Sequence, residues 1–211
     1  MRFSLFLLLF CCLGLARADF TGVAFEIMDL ESDWAFSDGS RVVKTNSLGL
    51  KIEERAASGL VVGGGIGYQS IRVDGDRTTP TTKFETQNLQ IYLRREFPLG
   101  KSFSLDGLLS YGYHHGRENV VGDRAEIEWS QVDVEIGANF RVKNLRITPF
   151  TSYTDIDGDI SGTNGNAVFE LEDPYSYGVR FDIFVESTAF IGIRLQTGSQ
   201  SGGYISFVRR Y

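Results

Sequence analysis

The sequence contains very few of the residues that carry covalent or metal chemistry: two cysteines and two histidines among 211 residues. Cys11 and Cys12 both lie near the amino terminus, so the chain beyond them offers no thiol for a disulfide, a nucleophile or a thiolate metal site. His114 and His115 are neighbours. In a strand, adjacent side chains point to opposite faces, so this pair cannot bind one metal together. These absences exclude disulfide-stabilised folds and histidine–cysteine metal centres.

Long apolar runs are also scarce, because only residues 3–15 form one. Arg2 precedes this run and an Ala-Arg-Ala segment at 16–18 follows it, which is the charged start and small-x-small end of a cleavable signal peptide. We therefore predict that residues 1–18 are removed on export and that residues 19–211 form a single domain. No later stretch is long and apolar enough for a transmembrane helix. Two arginines and no acid leave with the signal peptide, so the formal net charge changes from −6 to −8.

Proline is rare, with 4 residues, whereas glycine and aromatic residues are plentiful: 24 Gly, 16 Phe and 9 Tyr. This combination favours a sheet protein with tight turns and curved strands. On one predicted strand, Gly63, Gly65 and Gly67 share a face, where they are expected to leave room for long side chains opposite. The acidic balance argues against a nucleic-acid partner, which would require a clustered basic surface.

Apolar residues recur at every second position through most of the chain, which is the period of a strand with two different faces. Residues 129–142 show it best: Val132, Val134 and Ile136 share one face, and Gln131, Asp133 and Glu135 share the other. A helix would scatter both sets around its circumference. The same alternation occurs in nine further segments: 23–28, 48–53, 62–69, 88–94, 103–114, 145–153, 175–183, 191–196 and 205–211.

The connections between these segments alternate in length. Short turns are predicted at 56–59, 97–102, 143–144 and 186–188, and longer loops at 31–44, 73–84, 116–126 and 156–173, with a shorter fifth loop at 198–202. Tight turns on one side and long loops on the other are typical of an up-and-down barrel that crosses an outer membrane, with the turns in the periplasm. We therefore predict an all-β, closed antiparallel transmembrane β-barrel of ten strands, with eight strands as the alternative. An even number of strands returns both termini to the periplasm.

The charged residues of the strands lie on the polar faces, and acids and bases are nearly balanced. A soluble barrel could show the same alternation with its charges outside, but near-balance suits ions paired inside a narrow lumen, and lipid tolerates no charge on the outer wall. The lumen charges either line a small pore or form a salt-bridged plug. The plug is favoured because small barrels are only wide enough for their own side chains. The predicted network comprises Glu26, Lys51, Glu53, Arg94, Asp106, Asp133, Glu135, Arg141, Arg146, Arg180, Asp182 and Arg194.

The last nine residues, from Gly203 to Tyr211, end on an aromatic ring and carry apolar residues at alternate positions, including Phe207. This segment resembles the carboxy-terminal β-signal of bacterial outer-membrane proteins, although Arg209 stands where an apolar residue is usual. The resemblance implies recognition by the barrel-assembly machinery at Phe207 and Tyr211. The chain from 19 to 211 resembles the small porin-like barrels of the OmpA and OmpX type, which implies a place in the outer membrane, in contact with its lipid and lipopolysaccharide.

The sequence contains no recognisable catalytic, cofactor or metal constellation. His114 is expected to be a solvated residue at the barrel rim, because no partner for general-base chemistry can be located. Asp155, Asp157 and Asp159 look superficially like the start of a calcium loop. Ile160 and Asn166 stand where such a loop has glycine and glutamate, so an acidic surface loop with at most weak divalent-ion binding is expected. The first hypothesis is a non-enzymatic barrel with a structural or surface-contact role through its loops, for an unnamed surface ligand. The alternatives are a narrow diffusion channel and a lipid-modifying enzyme.

Overall fold

A computed structural model describes residues 18–56, 59–75, 81–118, 125–162 and 165–211. The predicted signal peptide lies outside this range except for Ala18. The described residues contain no helix long and apolar enough to cross a membrane. They form eleven strands: β1 Ala18–Phe36, β2 Gly39–Ala56, β3 Leu60–Val73, β4 Thr82–Pro98, β5 Phe103–Glu118, β6 Glu126–Val142, β7 Leu145–Gly162, β8 Gly165–Leu171, β9 Tyr175–Glu186, β10 Ala189–Gly198 and β11 Gln200–Arg210.

Ten of these strands close into an antiparallel barrel. The order is β1 to β7, then β9, β10 and β11, and β11 pairs with β1 to complete the ring. The predicted ten-stranded barrel is therefore confirmed. Ala18, Tyr211 and the turns at 99–102, 143–144 and 187–188 lie at one end, which we call the turn end. The opposite end, where β1–β2, β5–β6 and β7–β8 project, is the hairpin end.

Strand β8 changes the number of strands at the hairpin end. It pairs with β7 from Asp157 to Gly162 and with β1 from Trp34 to Phe36, beyond the reach of the shorter strands β9, β10 and β11. The ring at this level consists of β1 to β7 and β8. The ten-stranded barrel thus continues beyond β9–β11 as an eight-stranded one.

The long β1–β2 and β7–β8 connections are not loops. The prediction of loops at 31–44 and 156–173 is wrong, because β1 and β2 remain paired as far as Phe36 and Gly39, and β7 and β8 as far as Gly162 and Gly165. Alternate residues in these segments point into a shared interior, so they gain a packed core as well as ladder hydrogen bonds. The connection at 198–202 also shrinks to a single residue between β10 and β11. The connections at 73–84 and 116–126 lie partly outside the described residues.

Around its middle the barrel presents an apolar belt to the outside. Val134, Ile136 and Phe140 are 40%, 61% and 45% exposed, although they belong to one of the most regularly paired strands. Aromatic residues border the belt on both sides. Toward the hairpin end they are Tyr111, Tyr113, Tyr153, Tyr175 and Tyr177, and toward the turn end Phe97, Phe103 and Phe140. This wall of exposed apolar side chains with aromatic borders is the surface of a barrel that sits in lipid.

Between the belt and the hairpin end, the apolar residues of the strands face inward instead of outward. On β6, Val132, Val134 and Ile136 face outward, whereas Ile127 and Trp129 face inward and are buried. The pairing of β6 with β5 is continuous through this region, so no bulge produces the change. The apolar residues therefore lie on the outward face of the strand within the belt and on its inward face beyond the belt. The same inversion occurs on β1, β2, β3, β4 and β7.

Candidate functional site: a lumen closed at two levels

The part of the lumen nearer the turn end, which we call the lower level, is closed by charged side chains that pair across it. We call this set the ion network: Arg94, Asp106, Glu135, Arg146, Arg180, Asp182 and Arg194. Arg94 binds Asp106 with two hydrogen bonds, Nε to Oδ1 at 2.9 Å and Nη2 to Oδ2 at 2.6 Å. Because such two-point pairs are both strong and directional, each end of the pair is held in one orientation.

Arg180 links two carboxylates from different strands. Its Nη2 atom donates to Asp106 at 2.7 Å and its Nη1 atom to Glu135 at 3.1 Å. Glu135 also accepts a hydrogen bond from Arg194, whose guanidinium carbon lies 3.8 Å from the centre of the Phe150 ring. A chain of alternating charges therefore crosses the lumen from β4 to β10. Every guanidinium in this chain is held by a carboxylate or an aromatic ring.

The other predicted charges occupy separate positions. Lys51 pairs with Glu26 at 2.6 Å, and Glu53 accepts a hydrogen bond from Tyr92 at 3.2 Å. Asp133 faces the lumen, where its carboxylate is held by Ser110, Gln131 and Thr154 rather than by a base. Arg141 lies at the turn end, exposed to solvent, with its guanidinium 4.8 Å from the Phe184 ring. Arg141 therefore lies apart from the ion network.

The upper level of the lumen is closed by apolar side chains. We call this cluster the apolar lid. Trp34 stacks on Phe169 with ring centroids 4.3 Å apart and planes 13° from parallel, and Trp129 meets both rings edge-on. The cluster fills the eight-stranded hairpin end. Its buried members are Trp34, Phe36, Val43, Ile71, Val73, Phe84, Ile127, Trp129, Ile156 and Phe169.

Between the two levels lies a polar chamber of about 190 Å³. The apolar lid bounds it through Trp34 and Trp129, and the ion network bounds it through Glu135 and Arg194. About half of its remaining lining residues carry side-chain amides or hydroxyls, and others such as Met28, Leu30 and Leu108 are apolar. The amide and hydroxyl residues are Ser32, Thr45, Ser47, Gln69, Asn88, Gln90, Ser110, Gln131, Ser152, Thr154, Gln196, Gln200 and Tyr204.

The two histidines lie on opposite sides of the wall. His114 points inward and is 6% exposed; its ring stacks on Trp129 at 4.2 Å, and its Nδ1 atom lies 3.0 Å from Oε1 of Gln69. The expectation of a solvated rim residue is therefore wrong, because β5 continues past this position into the eight-stranded part. His115 points outward, 3.8 Å from Glu128. The wall prevents the two rings from sharing one substrate or ion.

The acidic segment on β7 lies on the outer surface. Asp155 and Asp157 are exposed, and their inward neighbour Ile156 is buried in the apolar lid. Asp157 is directly opposite Glu170 on β8. Within the described ranges no group of three or more acidic, histidine or cysteine side chains is arranged to hold a metal ion.

Close packing explains the glycines of β3. A Cβ atom added at Gly63 would lie 2.1 Å from the ring of Tyr92, and one at Gly67 would lie 2.3 Å from Oδ1 of Asn88. Tyr92 and Asn88 both project into the lumen from β4, directly opposite these glycines. The absence of side chains on β3 therefore makes the room that the neighbouring strand uses to fill the lumen, as the sequence predicts.

Comparison with known proteins identifies the class of barrel. The family model described as the autotransporter beta-domain matches residues 22–173, most of the chain. The chain belongs to the autotransporter β-domain family. As an autotransporter β-domain it is a β-barrel of the outer membrane, with the apolar belt in lipid. No curated protein sequence matches it.

Two solved structures have a similar fold. The transport unit of the autotransporter AIDA-I from Escherichia coli is 8% identical, with a TM-score of 0.53, covering 94% of this chain and 91% of its own. The outer membrane protease OmpT from Escherichia coli is also 8% identical, with a TM-score of 0.52 and coverage of 92% and 95%. At such low identity the likeness shows the fold alone.

Sequence reasoning missed the apolar lid and the chamber beneath it. The sequence feature that indicates them is a switch of the apolar residues between odd-numbered and even-numbered positions along one strand. On β1 the outward apolar residues Phe25 and Ile27 occupy odd positions, whereas the inward Leu30, Trp34 and Phe36 occupy even ones. Charged residues then take over the outward face. Recognising this required the expectation that a strand continues beyond the membrane.

Proposed function

We propose that this chain is a non-conducting and non-enzymatic outer-membrane barrel that serves the envelope structurally, or by surface contact, through its hairpin end. The observation that carries the proposal is the double closure of the lumen. The ion network fills the lower level with paired charges and the apolar lid fills the upper level with packed rings. We infer from these contacts among the described residues that no continuous aqueous path crosses the two levels.

The proposed orientation places the hairpin end outside the cell and the turn end in the periplasm. Short turns at 143–144 and 187–188 support this, because outer-membrane barrels carry their short turns on the periplasmic side. Export through a signal peptide at 1–18 and assembly through the β-signal at Phe207 and Tyr211 belong to the same proposal. So do the kinship with small OmpA- and OmpX-type barrels and contact with lipopolysaccharide.

The separation of the ionisable groups supports the proposed non-enzymatic role. His114 is packed between Trp129 and Gln69 inside the wall, and His115 lies outside it. Most of the lumen carboxylates are engaged by arginines or lysine, and Asp133 is held by three neutral donors. General acid–base work requires a base that can reach its substrate's proton. His114 lines the polar chamber together with Asp133 and Glu135, but its ring is stacked on Trp129 and its Nδ1 atom lies against Gln69.

Transport is the competing function, since the family name and the notion of a narrow channel both point to it. A passage through this lumen would require both closures to be displaced at once. The arginines of the ion network would have to leave their present partners, and the stacked rings of Trp34 and Phe169 would have to leave their contacts. Each change would cost several kcal/mol of free energy. The closed form is therefore the functional one that we propose.

Planar-bilayer conductance of the refolded protein tests this proposal. We expect no steady openings from the wild-type chain, with folding verified by heat-modifiable migration in SDS gels. Steady single-channel openings of the wild type would contradict the proposal and support the channel. The positive control combines Trp34→Ala and Phe169→Ala in the apolar lid with Arg180→Ser and Asp106→Ser in the ion network. This variant keeps the net charge, removes the stacked rings and the central Arg180–Asp106 pair, and should conduct, which shows that the measurement detects a pore.

A further inference from the structure

The polar chamber has the size and surface of a binding site. Its volume of about 190 Å³ corresponds to about six water molecules at the volume of liquid water, ~30 Å³ each. Amides from several strands contribute to its walls, including Gln69 on β3, Asn88 on β4, Gln131 on β6 and Gln196 on β10. Amides and hydroxyls both donate and accept hydrogen bonds, so such walls suit a ligand whose groups do the same.

The charged residues around the chamber limit the chemical class of ligand that it can bind. Glu26 is paired with Lys51, and Glu135 with Arg194. Asp133 is the remaining carboxylate of the lining, held by neutral donors. The chamber therefore carries an excess of negative charge, which disfavours anions. Its walls combine amides and hydroxyls with apolar side chains such as Met28, Leu30 and Leu108, so they suit a ligand that carries both hydroxyl groups and C–H surfaces. An entirely apolar ligand would leave the amides without partners.

Three groups around the chamber have no hydrogen-bond partner among the described residues. They are the indole N–H groups of Trp34 and Trp129 and the Oδ1 atom of Asn88. All three residues line the chamber. Each of these atoms is itself shielded from water, so a ligand in the chamber meets the accessible amides and hydroxyls rather than these three groups. A hydroxyl group can donate to and accept from such amides.

We propose that the polar chamber binds a small neutral polyol, up to the size of a monosaccharide, which enters from the hairpin end. This proposal goes beyond the proposed function and does not depend on it. A dead-end chamber and a conducting lumen could each hold such a ligand, and the two ideas are tested by different measurements.

The route into the chamber is the seam between β8 and β1. β8 pairs with β1 at only three positions, Trp34 to Phe36, against six positions with β7. Directly inside this seam, Trp34 stacks on Phe169 of β8. Separation of β8 from β1 therefore removes one ring of the apolar lid from the other and opens the chamber, while the ten-stranded barrel below remains closed through β11 and β1.

Tryptophan fluorescence gives a direct measurement, because the chain contains two tryptophans and both line the chamber. The probe is glucose, titrated into the refolded, heat-modifiable protein, with a disaccharide as the size control. We expect a saturable change in emission with glucose and none with the disaccharide. A response that is linear, or the same for both sugars, would mean that the chamber holds only water and would overturn the proposal. A response to sodium chloride without one to glucose would overturn it equally.

Asn88→Leu tests the site itself. This change removes an amide that lines the chamber and whose Oδ1 atom has no partner among the described residues, so little of the fold should be lost. We expect the glucose affinity to fall at least tenfold. The matched control is Gln87→Leu, one residue away on the outer face, which should leave the affinity unchanged. Equal affinities in the two variants would exclude the chamber as the site.

A reversible lock tests the route. Ala35 and Glu170 are opposite each other across the seam, and antiparallel neighbours lie within the Cα separation that a disulfide spans. In a chain without residues 1–18 there is no other cysteine. The oxidised Ala35→Cys/Glu170→Cys variant should lose the rapid glucose response and regain it on reduction. A disulfide between Asp159→Cys and Val168→Cys, which joins β7 to β8 without crossing the seam, is the control and should bind glucose in both states. Rapid binding to the oxidised seam variant would overturn this route.

Discussion

The buried carboxylates of the lumen depend on specific arginines. Asp182 is 1% exposed and accepts a hydrogen bond from Nε of Arg146 at 2.7 Å. The next guanidinium, that of Arg180, approaches it only to 3.8 Å. A buried ion pair adds little net stability relative to an apolar pair, but removing one partner leaves an unpaired charge in a place that water reaches poorly.

We predict that Arg146→Met destabilises the barrel by about 3–5 kcal/mol, because Asp182 loses its main partner. The measurement is the urea-unfolding transition in lipid vesicles, followed by heat-modifiable migration. Adding Asp182→Asn to this variant should recover most of the loss, since it removes the stranded charge. Arg141→Met is the matched control. Its side chain is exposed at the turn end, so its effect should stay within about 0.5 kcal/mol. Equal losses for Arg146→Met and Arg141→Met would contradict the buried network.

At the scale of the single strand, the same alternation serves two environments. In the belt, lipid is outside and paired charges are inside, so apolar residues point outward. Beyond the belt, water is outside and the apolar lid is inside, so apolar residues point inward and acids such as Glu128 point outward. The strand continues in the same direction, but its outer face passes from lipid into water.

A pair of equally exposed apolar residues separates these environments. Ile136 is 61% exposed in the belt on β6, and Val168 is 64% exposed on β8, beyond it. We predict that Ile136→Arg destabilises the folded barrel by about 2–4 kcal/mol, because it moves a charge into lipid near the middle of the belt. Val168→Arg should cost less than about 0.5 kcal/mol, because its side chain meets water. Unfolding titrations in vesicles compare the two. Similar costs would place the belt elsewhere on the barrel.

At the scale of the whole molecule, the barrel exists only when its last strand meets its first. β11 pairs with β1 from Gly22–Arg210 to Ser32–Gln200, and Tyr211 adds reciprocal backbone hydrogen bonds with Thr21. The predicted assembly signal and the strand that closes the ring are therefore the same segment. Tyr211 is 74% exposed, so its ring contributes little to packing within the barrel.

This exposure yields a prediction that distinguishes assembly from stability. Tyr211→Ala should sharply lower the amount of heat-modifiable barrel in the membranes of expressing cells, whereas its refolding yield in detergent should match that of the wild type. The control is Tyr175→Ala, a tyrosine 61% exposed on the outer wall, away from the closing strand. Comparable assembly of Tyr211→Ala and the wild type in cells would show that this residue is not an assembly signal.

The sequence by itself determined the strands of the belt, their inward charges and the closed antiparallel barrel, because a two-residue period and a lipid environment leave one arrangement of faces. It could not show that Asp106 and Glu135 share Arg180, since partners 74 and 45 residues apart meet only when the ring closes. The tertiary structure alone decided that Trp34, Trp129 and Phe169 form one lid. These residues come from three strands, and only the pairing of β8 with both β7 and β1 brings them over the same lumen.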